Sequence, residues 1–424
     1  MPERDFIDAQ VPANRSDRQK RLHDSVIIGT VLLGLGAFFV IGMAIERLPI
    51  LIGFVGAITV LGVLYRRTPK LGTLVTEAFR DNRSISLTFL VVLLAAYPFV
   101  LSHDPYLIHI GALAAIYVIM ALGLNVTLGY AGLLDIGFAV YYGAGAYISA
   151  QLAIHFGTNF WLGLVFGALG ASFFGFLVAW PALRVHDHYL GLVTLGYGLV
   201  MNLLARNVYF LTNGTDGVIN IPPPAIGSHE FTQPLNLGWM TLPFQANFYY
   251  LAVTLALLAA FVSYRLRQSK LGRAWDAIRE DEIAARCSGV DARGVKILAF
   301  STGAFFGGLG GAIYAHMIGF ISPENFSFIE SITILVMVVM GGAGNIMGVA
   351  IGAVILVVLP ERFREFEHLR LLFFGSALVL LMINRPQGLF PRLRIRRTQH
   401  ADKIVALLAH ARDKLTDAPG VRAR

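Results

Sequence analysis

The sequence predicts an all-α integral membrane protein, a polytopic bundle of about 11–12 transmembrane helices with both termini cytoplasmic. Three observations predict it. Hydrophobic residues fill 56% of the 424 positions and charged residues only 14%, against about 25% charged in an average soluble protein. The apolar residues come in blocks of about twenty, the length that crosses roughly 30 Å of hydrocarbon; a soluble core of this size would show amphipathic periodicity. Gly is abundant at 44 residues, and Gly tolerates close helix contact in a bilayer.

The apolar blocks place spans at 26–45, 49–65, 85–102, 107–129, 131–154, 160–181, 189–210, 247–265, 296–318, 327–341, 346–360 and 370–384. The short pair 327–341 and 346–360 reads either as two passes or as one helix broken at Gly341-Gly342-Ala343-Gly344-Asn345. Loop charge fixes the orientation. Arg66, Arg67, Lys70, Arg80 and Arg83 crowd the segment 66–83, 265–296 is rich in Lys and Arg, and the tail after Arg385 is basic. The long loop 207–246 has no Lys or Arg. The first three regions therefore face the cytoplasm and 207–246 faces outward. An even number of spans puts both termini inside, which favours two passes over 327–360.

These features divide the chain into a cytoplasmic segment 1–25, an extra N-terminal transmembrane section 26–104, a functional core 105–390 and a basic cytoplasmic tail 391–424. Within the core, 267–295 is a cytoplasmic segment and 207–246 an outward loop. Some 24 polar, mixed-charge residues precede the first apolar block at Val26, so the first helix is expected to act as its own insertion signal.

Several functions are excluded. The net charge of +8 clusters at span ends without interleaved aromatics, which is an orientation signal and not a nucleic-acid surface. Cys287 is the only cysteine, so neither an intrachain disulfide nor a Cys-rich metal site forms. No phosphate loop, zinc-helix motif or nucleophile elbow is present. The sequence offers no catalytic centre, metal site or cofactor, and the chain is not expected to hydrolyse ATP itself.

Four segments carry the remaining signal. Between Arg273 and Arg286 the cytoplasmic segment is rich in helix formers without Gly or Pro. Ala274, Ala277, Ile278, Ala284 and Ala285 alternate with charges, giving a short amphipathic helix punctuated by Gly272 and Gly289. It reads as a helix that docks in a groove of another protein or as an ordinary solvated loop. Second, Gly123, Gly129, Gly132 and Gly137 fall where a membrane helix is expected, and the freed backbone groups must be buried in protein or face water. Asn125 and Asp135 lie in the same apolar stretch; Asp135 is either a pathway carboxylate or a helix cap near the interface. Third, the break Gly341, Gly342, Gly344, Asn345 is a pore-lining discontinuity or a plain turn, while the glycines at 303–311 read as close packing. Fourth, Asn213-Gly214-Thr-Asp216-Gly217 and Pro222-Pro-Pro are turn chemistry, forming a rigid external cap or a docking surface for an external partner.

Together these pieces resemble the LivM-type permease family of high-affinity branched-chain amino acid ABC importers. The resemblance rests on G-L-N-x-x-x-G-Y-A-G-L-L-D-x-G at 123–137, G-A-Y at 145–147, L-T-N-G-T-D-G at 211–217 and S-K-L-G-R-A-W-D-A-I-R-E-D-E-I-A-A at 269–285. It continues through the glycine run at 303–311, V-M-G-G-A-G-N at 339–345 and R-P-Q-G-L-F at 385–390. It covers about 105–390 in the family's order, and the extra N-terminal spans look like the longer members. Glu282, Ala284, Ala285 and Gly289 fit the E-x-A-A-x-x-x-G core of the loop that docks on the ATPase, without the Leu-Pro ending of the general motif.

The resemblance implies an inner-membrane subunit that translocates leucine, isoleucine and valine by alternating access. Its implied partners are a homologous second permease, two cytoplasmic ABC ATPases, a periplasmic amino-acid-binding protein and membrane lipid. The ATPase-coupling candidates are Arg273, Ala277, Glu280, Glu282, Ala284, Ala285 and Gly289. The pathway or helix-break candidates are Asn125, Gly129, Gly132, Asp135, Gly341, Gly342, Gly344 and Asn345, and the docking candidates are Asn213, Gly214, Asp216 and Gly217. Rival readings are a related permease for urea or short amides, and an ion-coupled secondary transporter, for which Asp135 is nearly the only embedded carboxylate the spans offer.

Overall fold

The computed structural model describes residues 83–362 apart from 183–186, 228, 237, 239 and 240, together with positions 375, 379, 388 and 389. The expected segments 1–25, 26–45, 49–65 and 391–424 lie outside the described residues, as does 370–384 but for two positions.

Each expected span from 85–102 to 346–360 is helical. Helix α1 is Arg83–Val100, α2 Pro105–Leu124, α3 Ala139–Phe156, α4 Phe160–Ala182 and α5 Asp187–Asn207. A short α6 at Tyr209–Thr212 opens the long loop, and α7 (Gln245–Gln268) closes it. Then come α8 (Lys270–Glu280), α9 (Glu282–Cys287), α10 (Ala292–Ile318), α11 (Phe328–Gly341) and α12 (Ile346–Arg362). Asp104 starts α2 by accepting the N–H groups of Tyr106 and Leu107, with Pro105 in the first turn.

Helices α2 and α10 form the axis of the bundle. Lipid is as apolar as Leu, so close packing and not water exclusion holds such helices together. The glycines permit that packing. A Cβ at Gly311 of α10 would lie 2.0 Å from the Tyr142 carbonyl oxygen on α3, and one at Gly308 2.3 Å from the Ala171 Cβ on α4. Gly303 meets the Gly123 carbonyl of α2 in the same way. The buried core, including Ile116, Met120, Phe138, Tyr142, Phe300, Ile313 and Val338, fills the space around these contacts. Gly311→Ala is therefore expected to cost about 1–3 kcal/mol by overpacking, seen as a lower thermal midpoint in detergent. Gly196→Ala, where an added Cβ meets nothing within 4 Å, is expected to leave it unchanged or raise it slightly.

Two details differ from the sequence reading, at 131–154 and in the long loop, while 327–360 follows the two-pass alternative. The span expected at 131–154 starts only at Ala139, because α2 runs on into a π-helical turn at Asn125–Tyr130 and then a non-helical linker. The linker's backbone finds other partners: Leu133 N–H donates to the Thr127 carbonyl, Ile136 N–H to Thr194 Oγ1 and Ala139 N–H to Ser331 Oγ. The region 327–360 is two helices, α11 and α12, folded back on each other: Gly341 lies against Gly348 while Gly352 lies against the Met337 carbonyl. Finally, the outward loop carries three two-stranded antiparallel pairings, the first joining Val218–Ile219 to Phe320–Ile321.

The 207–246 loop and the candidate coupling segment lie at opposite ends of α7, which at 24 residues is about 36 Å long. The loop is pinned by Ile221 N–H to the Gly319 carbonyl, by Trp161 Nε1–H to the Ala225 carbonyl, and by Asn247 to the carbonyls of Phe231 and Gln233.

Candidate functional site

The candidate coupling segment is two helices, not one. Asp281 leaves the helical region at φ −161°, and its side chain accepts from Ile283 N–H at 2.8 Å and Ala284 N–H at 3.0 Å, starting α9. An Asp that offers its own carboxylate to the next turn competes with helix continuation. Gly272 does not end the helix as expected. It lies in the first turn of α8, capped by Ser269, where a Cβ would be 2.3 Å from the Arg267 carbonyl oxygen. Gly289, at φ +84°, does close the segment.

The two helices present distinct faces. Ala285 is buried against Ile278 and Ala292, with Ala277 at the edge of that cluster. Glu282 turns inward and pairs with Lys296 of α10 at 2.5 Å, and also with Arg286 at 2.5 Å. These two motif residues thus anchor α9 to α10. Arg273, Glu280, Ala284 and Gly289 are exposed, and beside them stands Ile283, 76% exposed.

Inward, α8 rests on the π-helical turn. The Arg279 guanidinium donates to the Gly129 carbonyl. Gly132, at φ +73°, lets the Arg279 stem pass where a Cβ would be 2.9 Å away. Trp275 is fully buried, stacks on Tyr130 with ring centroids 6.5 Å apart and donates to the Val295 carbonyl at 2.9 Å. The Tyr130 hydroxyl meets Ser263 Oγ at 2.9 Å, and Arg267 lies 5.9 Å above its ring.

The π turn connects onward to the α11–α12 turn. Asn125 Oδ1 accepts the Gly344 N–H at 2.7 Å. Gly129 is required between them: a Cβ there would lie 2.0 Å from Asn125 Oδ1 and 2.5 Å from Gly344 N. Gly342 and Gly344 take φ of +105° and +90°, conformations that favour glycine. Asn345 accepts the Gly348 N–H at 3.4 Å and starts α12. Gly388 touches Gly342, and Leu389 N–H donates to the Met340 carbonyl. Asn125, Gly129 and Gly344 thereby meet at one point, Asn345 N–H donates to the Gly342 carbonyl, Gly341 packs on Gly348, and Gly132 faces α8.

Asp135 stands apart. It is fully buried, one oxygen accepts the Gly137 N–H at 3.1 Å, and Tyr141 lies against its carboxyl. At the outward end, Gly217 (φ +72°) approaches the Ile321 carbonyl and Asn213 bonds the Gly217 carbonyl, so both serve the turn. Gly214 is buried, and Asp216 is exposed.

Sequence reasoning missed Arg279 and a second carboxylate within the spans. Glu330, in the first turn of α11, accepts a hydrogen bond from the Tyr117 hydroxyl of α2.

The family described as the permease component of the branched-chain amino acid transport system matches residues 106–382. The chain is 40% identical over 328 residues to the high-affinity branched-chain amino acid transport system permease protein LivM of Escherichia coli (strain K12), covering 74% of this chain and 76% of that protein. Identity to the LivM protein of Salmonella typhimurium is 39% over the same shares. The LivH permease protein of the same transport system in Escherichia coli (strain K12) is 26% identical over 297 residues, 67% of this chain and 94% of that protein. No solved structure matches the chain.

Proposed function

The chain belongs to the family of branched-chain amino acid transport system permease components, and from that premise we propose that it is a multi-pass inner-membrane subunit of an ATP-driven importer for leucine, isoleucine and valine. Its relatives named LivM and LivH are both permease proteins of one such system, which supports pairing with a second, homologous permease. Two cytoplasmic ATPases supply the energy and a periplasmic binding protein delivers the amino acid.

The observation that carries the mechanism is the join between the coupling segment and the helix interior. Closure of the ATPases pushes α8 and α9. Arg279 passes the displacement to the π turn through the Gly129 carbonyl, and Asn125 passes it to the α11–α12 turn through Gly344 N–H. A π turn is a weak point in a helix and is often functional, so it suits an element with two arrangements. The bundle then alternates between outward-open and inward-open states, with substrate moving between the two permeases.

Within the coupling candidates the contact face is the exposed subset Arg273, Glu280, Ala284 and Gly289, with Ile283 as its apolar centre. Ile283→Asp is expected to reduce co-purification of the ATPases at least tenfold while leaving the thermal midpoint of the permease unchanged. Wild-type recovery of the ATPases would refute this face. The substrate assignment is tested with the complete importer in proteoliposomes. Vanadate-sensitive uptake of radiolabelled leucine, without uptake of radiolabelled urea, is the expected result; the reverse would assign the amide-type permease, and uptake without the ATPases would assign a secondary transporter.

A further inference from the structure

The outward half of the bundle contains a carboxylate that the mechanism above does not use. Glu330 accepts from the Tyr117 hydroxyl through one oxygen, and its other oxygen has no donor among the described residues. No Lys, Arg or His pairs with it among the described residues. An uncompensated carboxylate within a membrane bundle is costly and marks a functional position.

Its surroundings are polar and aromatic. Asn325 donates to the Tyr314 hydroxyl at 3.2 Å, and its own orientation is fixed because Oδ1 accepts from Ser322 N–H at 2.9 Å. The Tyr142 hydroxyl faces that of Tyr314, with the two rings edge to face at 5.4 Å. Tyr117, Tyr314, Asn325 and Glu330 are each only half-buried. The last three come from α10, the turn before α11 and α11, with Tyr117 brought to Glu330 by α2 from 213 positions away.

On α2, His109, Leu113 and Tyr117 are half-buried at four-residue spacing, which places them on one face. From Ile119 to Leu124 the same helix is wholly buried. The accessible stripe thus runs from the outward end of α2 and stops at Tyr117 and Glu330.

We infer that this cluster is a transient subsite for the ammonium group of the passing amino acid, with Glu330 as its counter-ion and Tyr117, Tyr314 and Asn325 as the surrounding aromatic groups and dipoles. An ammonium gives the unpaired carboxylate its missing charge, and tyrosine faces attract a desolvated cation. The inference rests on the amino-acid importer reading and adds where the zwitterion's positive end is held.

The test measures leucine imported per ATP hydrolysed, using the complete importer in proteoliposomes with radiolabelled leucine. Glu330→Gln is expected to lower that ratio at least tenfold while binding-protein-stimulated ATP hydrolysis stays within twofold of wild type, and Glu330→Asp is expected to keep most of it. Tyr314→Leu, which retains the Tyr117–Glu330 pair, is expected to lower the ratio as well and stands in where Glu330→Gln does not assemble. An unchanged ratio, or uptake and hydrolysis falling together in both variants, overturns the subsite. Failure of the wild-type importer to move leucine would instead overturn the reading on which the subsite rests.

Discussion

Arg279→Ala is expected to reduce leucine uptake by roughly tenfold or more while the ATPases remain bound and active. The guanidinium donates to the Gly129 carbonyl, which belongs to the π turn and not to the docking face. A hydrogen bond to a charged group contributes about 1.5–3 kcal/mol. Arg279 is exposed along much of its length, which argues for the lower end, and about 1.4 kcal/mol is already a tenfold change in an equilibrium. Trp275 and Ser269 still hold α8 in place, so ATPase association is preserved. Uptake and ATP hydrolysis measured together check this: hydrolysis persists and transport falls. Arg279→Lys keeps the charge but not the planar fork and is expected to fall between wild type and the Ala variant.

Gly129→Ala is expected to have a larger effect. Its Cβ would lie 2.0 Å from Asn125 Oδ1 and 2.5 Å from the Gly344 nitrogen, closer than any real contact, and the second atom is backbone. The Asn125–Gly344 bond must break to admit the methyl group. An unsatisfied buried donor costs about 1–3 kcal/mol and overpacking about 1–3 kcal/mol, so the total is on the order of 2–6 kcal/mol. Uptake is expected to fall below a tenth of wild type, with a lower thermal midpoint in detergent. Binding of the ATPases at Ile283, on the far side of α8, is expected to survive.

Much of this arrangement was legible in the sequence because the membrane makes polar and glycine positions conspicuous. Asn125, Gly129 and Gly344 stand out where twenty apolar residues are expected, and the structure brings all three to one point. Arg279 did not stand out. It is one cation among several in a basic loop, and its role depends on a π-turn carbonyl 150 positions away. Glu330 was overlooked because a first-turn Glu reads as an interfacial residue; only the fold brings Tyr117 to it. The break at Asp281 was invisible for a different reason. Its flanks are strong helix formers, and the cap that wins is a local hydrogen-bond choice. That break in turn decides which motif residues face inward. Glu282 and Ala285 anchor α9 to α10, whereas a single continuous helix would assign them by phase to no particular neighbour.

The central claim is that Arg279 and Asn125 act in series, carrying displacement from the coupling segment to the α11–α12 turn. A double-mutant cycle on leucine uptake tests it most directly, because residues in one chain of contacts are non-additive. Uptake per ATP hydrolysed would be measured for Arg279→Ala, Asn125→Ala and the double variant in proteoliposomes. The series account predicts that the double variant is no worse than the more severe single variant. Losses that multiply, or an Arg279→Ala importer within twofold of wild type, would contradict it.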